Sequence, residues 1–89
     1  MDIKKRASAG TMESSDAYVE IEPAANGIAL ELESVVLSQF GEQIRRTVLE
    51  VLADEGVEHA RVRIIDRGAL ECVIRARVEA AVCRGKGEV

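Results

Sequence analysis

The hydrophobic period of this chain changes three times, and that order of periods admits few folds. Asp16-Ala17-Tyr18-Val19-Glu20-Ile21-Glu22 alternates, with Ala17, Val19 and Ile21 on one side. Ile28-Ala29-Leu30-Glu31-Leu32-Glu33 alternates again, grouping Ile28, Leu30 and Leu32. Period two marks a half-buried strand. Pro23-Ala24-Ala25-Asn26-Gly27 between them is turn-forming, so the two runs read as a hairpin with a loop of about five residues. From Ser34 to Asp54 the apolar residues Val36, Phe40, Ile44, Val48, Val51 and Leu52 recur at steps of three and four. That is an amphipathic helix, with Ser34 or Ser38 as N-cap and Gly56 as a C-terminal stop. Ala60-Arg61-Val62-Arg63-Ile64 returns to period two, and a second helix follows Asp66-Arg67-Gly68 with Leu70, Val73, Ile74, Val78, Ala81 and Val82 as its stripe. The expected fold is α+β in the order ββαβα, a small antiparallel-rich sheet with two amphipathic helices packed on one face.

Eighty-nine residues form one domain, large enough for one thin core and too small for a deep enclosed pocket. Size therefore favours a binding or carrier role over catalysis. Residues 1–6 are expected to be a flexible tail, 7–84 the domain and 85–89 a second flexible tail. With one Phe, one Tyr and no Trp, the core must come from Val, Ile, Leu and Ala. A net charge of -4 and the lack of aromatic platforms argue against nucleic acid as a partner. An acidic chain of this size suits docking on basic patches of larger proteins. No run approaches the ~20 apolar residues of a membrane span, and the charged start Met1 to Ala7 has no apolar run after it, unlike a signal peptide. The expected location is the cytoplasm.

No metal site is expected, because His59 is the single histidine. Cys72 and Cys83 fall in the same helical segment, ~16 Å apart along its axis, too far for a disulfide; buried, inert thiols are expected. Arg61 and Arg63 on one strand face outward, as do Glu20, Glu22, Glu31 and Glu33 on the others, a pattern of a solvated, charge-paired sheet face. Arg75, Arg77 and Arg84 lie towards the end of the last helix, where its dipole favours cations.

The stretch Ala9-Gly10-Thr11-Met12-Glu13-Ser14-Ser15-Asp16 sets a glycine and three hydroxyl residues among acids, immediately before the first alternating run. It reads as a tight exposed turn presenting a serine. No histidine or cysteine is near in sequence to activate that hydroxyl, so the serine is a poor nucleophile by itself but a good target for another enzyme. Together with Gln39-Phe40-Gly41, Ile44-Arg45, Val48 to Ala53 and Asp66 to Ala80, this octet closely resembles the citrate lyase acyl carrier protein family, the gamma subunit of that complex. The likeness covers about residues 7 to 84 in unchanged order.

The resemblance implies that Ser14 bears 2'-(5''-phosphoribosyl)-3'-dephospho-CoA through a phosphodiester. It implies partners too: the citrate lyase alpha and beta subunits and the prosthetic-group transferase (holo-citrate lyase synthase). The pantetheine thiol of the group would present acetyl and citryl thioesters during citrate cleavage to acetate and oxaloacetate, as in citrate fermentation. The chain itself would then be a non-catalytic, phosphoprotein-like carrier with no catalytic residue of its own. One departure is that Ser15 stands where glycine is common in the family, which leaves two adjacent hydroxyls; by the resemblance Ser14 is the modified one. Glu13 and Asp16 flank it and are expected to act in recognition by the transferase, and Lys4, Lys5 and Arg6 are expected to fold back weakly onto the phosphates. Alternative readings are a small regulatory or oligomerisation module without a covalent group, and the carrier of the related citramalate lyase.

Overall fold

The computed structural model describes residues 2–35 and 37–87. Strands β1 (Ala7–Gly10), β2 (Ala17–Pro23) and β3 (Ile28–Ser34) precede helix α1 (Leu37–Asp54), strand β4 (Ala60–Asp66) and helix α2 (Glu71–Gly85). The ββαβα order holds from β2 to α2, with the short strand β1 added in front. Nothing in Ala7-Ser8-Ala9-Gly10 is a strong strand former; it is a strand because it pairs with β2, antiparallel, from Ala7↔Ile21 to Gly10↔Tyr18.

The sheet order is β1-β2-β4-β3, which corrects the expected hairpin. β4 inserts between β2 and β3, antiparallel to the first and parallel to the second. Two strands with outward glutamates would repel if paired with each other. The basic strand between them removes the conflict, setting Glu20 opposite Arg63, Glu22 opposite Arg61 and Glu31 opposite Arg63. The resulting ion pairs are Arg61–Glu22 at 3.0 Å, Arg63–Glu20 at 3.4 Å and Arg63–Glu31 at 3.6 Å.

The inward residues Ala17, Val19, Ile21, Val62 and Ile64 bury fully beneath Val48, Val51, Leu52, Val78, Ala81 and Val82 of the helices. α2 packs over β1 and β2, and α1 over β3. Ser34 ends β3 rather than capping α1, and its hydroxyl donates to Asp66 Oδ2 at 2.7 Å. Val36, assigned to the helical stripe, lies outside the described residues. Asp66 does not cap α2; its Oδ1 accepts from the Ala69 N–H at 2.9 Å and the N-cap is Leu70. Cys72 is exposed and Cys83 half-buried, both as free thiols, so neither is the fully buried group the helical pattern suggests.

The N-terminal residues lie against the domain. Ile3 joins the core beside Gly85, whose carbonyl accepts from the N–H groups of Lys4 and Lys5. Asp2 accepts from the N–H groups of Glu58 and His59 at 2.8 and 3.1 Å. The Glu58 bond, followed by that of His59, holds the Asp2 carboxyl below its usual range. At the other end, Lys86 reaches the Glu55 carbonyl.

Candidate functional site

β1 stops at Gly10 and β2 starts at Ala17, leaving Thr11 to Asp16 to reverse the chain. Gly10 has φ +91°, and a Cβ there would sit 1.9 Å from the Ala17 carbonyl oxygen and 3.1 Å from Arg77 Cδ. Only glycine lets the strands close this tightly. Past Gly10 the turn bonds to itself. Thr11 Oγ1 donates to Asp16 Oδ2 at 2.7 Å and accepts from the Glu13 N–H at 3.2 Å, while the Asp16 N–H donates to the Glu13 carbonyl at 3.1 Å.

Two other elements hold the turn from outside. Arg77 of α2 donates from Nε and Nη2 to the two Asp16 oxygens at 3.0 and 3.1 Å, a two-bonded guanidinium–carboxylate pair that fixes orientation as well as charge. Beyond the end of β4, the Ser15 N–H donates to the Arg67 carbonyl at 2.8 Å and the Arg67 N–H to the Asp16 carbonyl at 2.9 Å. The Arg77 bonds, then those from Thr11 and from the Ala17 N–H, hold the Asp16 carboxyl far below the usual carboxylate range. Asp16 is thus a neutralised structural anchor and a weak base. The expected role in recognition leaves Glu13, exposed on the turn, as the flanking charge.

Ser14 and Ser15 are both exposed, and neither hydroxyl has a partner among the described residues. Their backbones differ. Ser15 has φ +68°, the left-handed region that costs a side chain roughly 1–2 kcal/mol, which gives a physical reason for glycine at that place. Ser14 lies outside that region at the front of a turn anchored on both sides. An outward hydroxyl on a held backbone fits covalent attachment of a large group, because nothing must be displaced to reach it.

Sequence reasoning missed Arg77, which it gave to the helix dipole, and the Thr11 bridge. The signal for Arg77 was its spacing, three residues after Ile74 and four before Ala81, which sets a cation beside the α2 residues that bury. The basic residues 4–6 lie at the opposite end of the β1–β2 pair, where Arg6 donates to Glu20 Oε2 at 2.8 Å. That bond holds the Glu20 carboxyl below its usual range and raises Arg6.

Residues 4–85 match the family model described as malonate decarboxylase delta subunit (MdcD). The citrate lyase acyl carrier protein of Escherichia fergusonii is 60% identical over 85 residues, spanning 94% of this chain and 88% of that protein. The chain belongs to the citrate lyase acyl carrier protein family. The citrate lyase acyl carrier protein of Lactococcus lactis is 54% identical over 84 residues, again with 94% of this chain and 88% of that one covered. Among solved structures, a chain from a crystal structure of a Pseudomonas malonate decarboxylase hetero-tetramer in complex with malonate superposes with a TM-score of 0.78 at 25% identity, over 91% of this chain and 84% of that one. Membership in a carrier family implies a prosthetic group. Among the described residues no helix is long and apolar enough to cross a membrane, and no cluster of His, Cys, Asp and Glu could hold a metal ion.

Proposed function

We propose that this chain is the acyl carrier subunit of citrate lyase, modified on Ser14 with 2'-(5''-phosphoribosyl)-3'-dephospho-CoA in phosphodiester linkage. The observation that carries the reading is the Ser14 hydroxyl, exposed and without a partner among the described residues, on a turn tied to both α2 and the end of β4. When bound, the group supplies a thiol that can carry acetyl and citryl thioesters. The chain's own residues provide none of that chemistry. Gly10, Thr11, Asp16 and Arg77 hold the turn, and Ser14 supplies the oxygen. On attachment the Ser14 Oγ–H bond breaks and an Oγ–P bond forms, while the P–O bond between that phosphorus and a polyphosphate leaving group on the activated donor breaks and the leaving group departs with the electron pair. The proton goes to a base of the transferase, since Asp16, two residues away, is depressed in basicity by Arg77. Tethering sets a local thioester concentration in the millimolar range for the catalytic subunits. The partners are the citrate lyase alpha and beta subunits and the prosthetic-group transferase, in the cytoplasm.

A second reading, the carrier of malonate decarboxylase, draws on the family model and the fold neighbour. The 60% identity to a citrate lyase carrier, against 25% to the decarboxylase chain, favours citrate. The test is reconstitution. Transferase-treated chain should gain the mass of the group and restore citrate cleavage to alpha and beta subunits. Malonate decarboxylation without citrate cleavage would reverse the choice, and a carrier that never gains mass would refute both.

A further inference from the structure

Two apolar residues that helical spacing assigns to the core are instead in solvent, and both line the same groove. Phe40 is 48% exposed and Leu70 71% exposed. Both line one groove of about 300 Å³ between the start of α1 and the start of α2, floored by Ile44 and Ile74 with Asp66 beneath. The groove adjoins the serine-bearing turn in the chain. Arg67, bonded to Ser15 and Asp16, is followed directly by Gly68, Ala69 and Leu70 of the rim. Leu70 and Arg77 are also two helical turns apart, so they share one side of α2 about 10 Å apart along its axis. Arg77 holds the turn at one end of that stripe, and the groove opens at the other.

We propose that this groove binds the purine base of the nucleotide attached to Ser14, with the Arg67 guanidinium on the phosphodiester. The inference rests on the attachment proposed above. The phosphoribosyl unit on Ser14 leads directly to the adenosine 2'-oxygen, whereas the pantetheine lies beyond the diphosphate, so the base, not the distant pantetheine, is the part of the group set against the rim. Arg67 is exposed and has no carboxylate partner among the described residues, whereas Arg77 is committed to Asp16. An exposed cation without a carboxylate partner among the described residues is therefore carried by a residue whose backbone is bonded to Ser15 and Asp16. One phenyl face cannot track a nucleic-acid strand, but a single aromatic ring suffices to stack one base. Gln43 and Thr47, on the same groove wall, offer an amide and a hydroxyl to the base edge.

The test separates the groove from the attachment. AMP and pantetheine are titrated separately into the unmodified full chain and followed by amide and methyl NMR; the transferase-modified chain is recorded alongside, with its intact mass. AMP should shift Phe40, Ile44, Leu70 and Ile74, pantetheine should not, and the modified chain should show the same residues shifted. Phe40→Ala, at an exposed site, should keep the fold and weaken AMP binding about fivefold or more, as expected from loss of a base–aromatic stack. AMP shifts in a chain that gains no mass would keep the groove and overturn the attachment. Groove residues unmoved by AMP and by modification, or moved by pantetheine alone, would overturn the proposal.

Discussion

β2 has a connection at each end, and the two use the same kinds of residue to opposite effect. With Gly10 at the end of β1, the β1–β2 turn uses Gly, Thr, Ser and Asp; with Pro23 at the end of β2, the β2–β3 loop uses Pro, Asn and Gly. The first is held by α2 through Arg77 and by the end of β4 through Arg67. Among the described residues the second is tied near Gly27, whose N–H donates to His59 Nδ1 at 2.8 Å and whose carbonyl accepts from the Ala60 N–H at 3.0 Å. Turn composition therefore says where a chain reverses. It does not say which reversal will be held still enough to present a group, because the anchors come from residues as far as 61 positions away.

Substitution at the two loop glycines separates them most sharply. Gly10→Ala forces a Cβ to 1.9 Å from a carbonyl oxygen in a left-handed backbone, and should cost roughly 3 kcal/mol or more. Gly27→Ala, with φ +68° and nothing within 4 Å, should cost only about 1 kcal/mol. Denaturant unfolding of the two variants checks the difference, and equal costs would break the comparison.

The anchor comes next in size. Arg77→Met should slow prosthetic-group transfer roughly tenfold or more, since a misplacement of about 1 Å can cost on the order of 100-fold. It should also lower the Tm. The thermal part has a defined pH dependence. Because the folded Asp16 carboxyl lies below its usual value near 3.8, its contribution is complete above that pH and is lost as the pH falls through the folded value. The Tm gap between wild type and Arg77→Met should therefore be widest near neutrality and shrink below about pH 3.8. A gap that grows on acidification would contradict the anchor.

Ser15→Gly is the smallest change and has the opposite sign. Relief of the φ +68° backbone, less the added chain entropy of glycine, should stabilise by about 0.5–1 kcal/mol. Modification should proceed at the wild-type rate. Lost modification in this variant would move the attachment away from Ser14.

Much of this architecture was legible because local patterns set it. The inward sets of β2, β4 and the helices follow from periods of two and 3.6, and Gly10 and Ser14 stand out as turn chemistry. Three features were not local. β1 exists only through its partner, and the place of β4 depends on which strands can lie side by side. The charges held the clue to the latter, since Arg61 and Arg63 need glutamates on both flanks, which a β2–β3 hairpin denies them. The third is Arg77, whose partner Asp16 is 61 residues away. Phe40 and Leu70 depart from their helical stripes because each lies at the first turn of its helix, where the sheet beneath has ended.

The central claim is that Ser14, held outward by this turn, is the residue that carries the group. Intact-mass and peptide-level mass spectrometry of transferase-treated wild type, Ser14→Ala and Ser15→Ala chains tests it directly. Ser14→Ala should remain folded and gain no mass, and Ser15→Ala should be modified in full on the Ser14 peptide. A Ser14→Ala chain that still acquires the group, with Ser15→Ala failing to, would contradict the account.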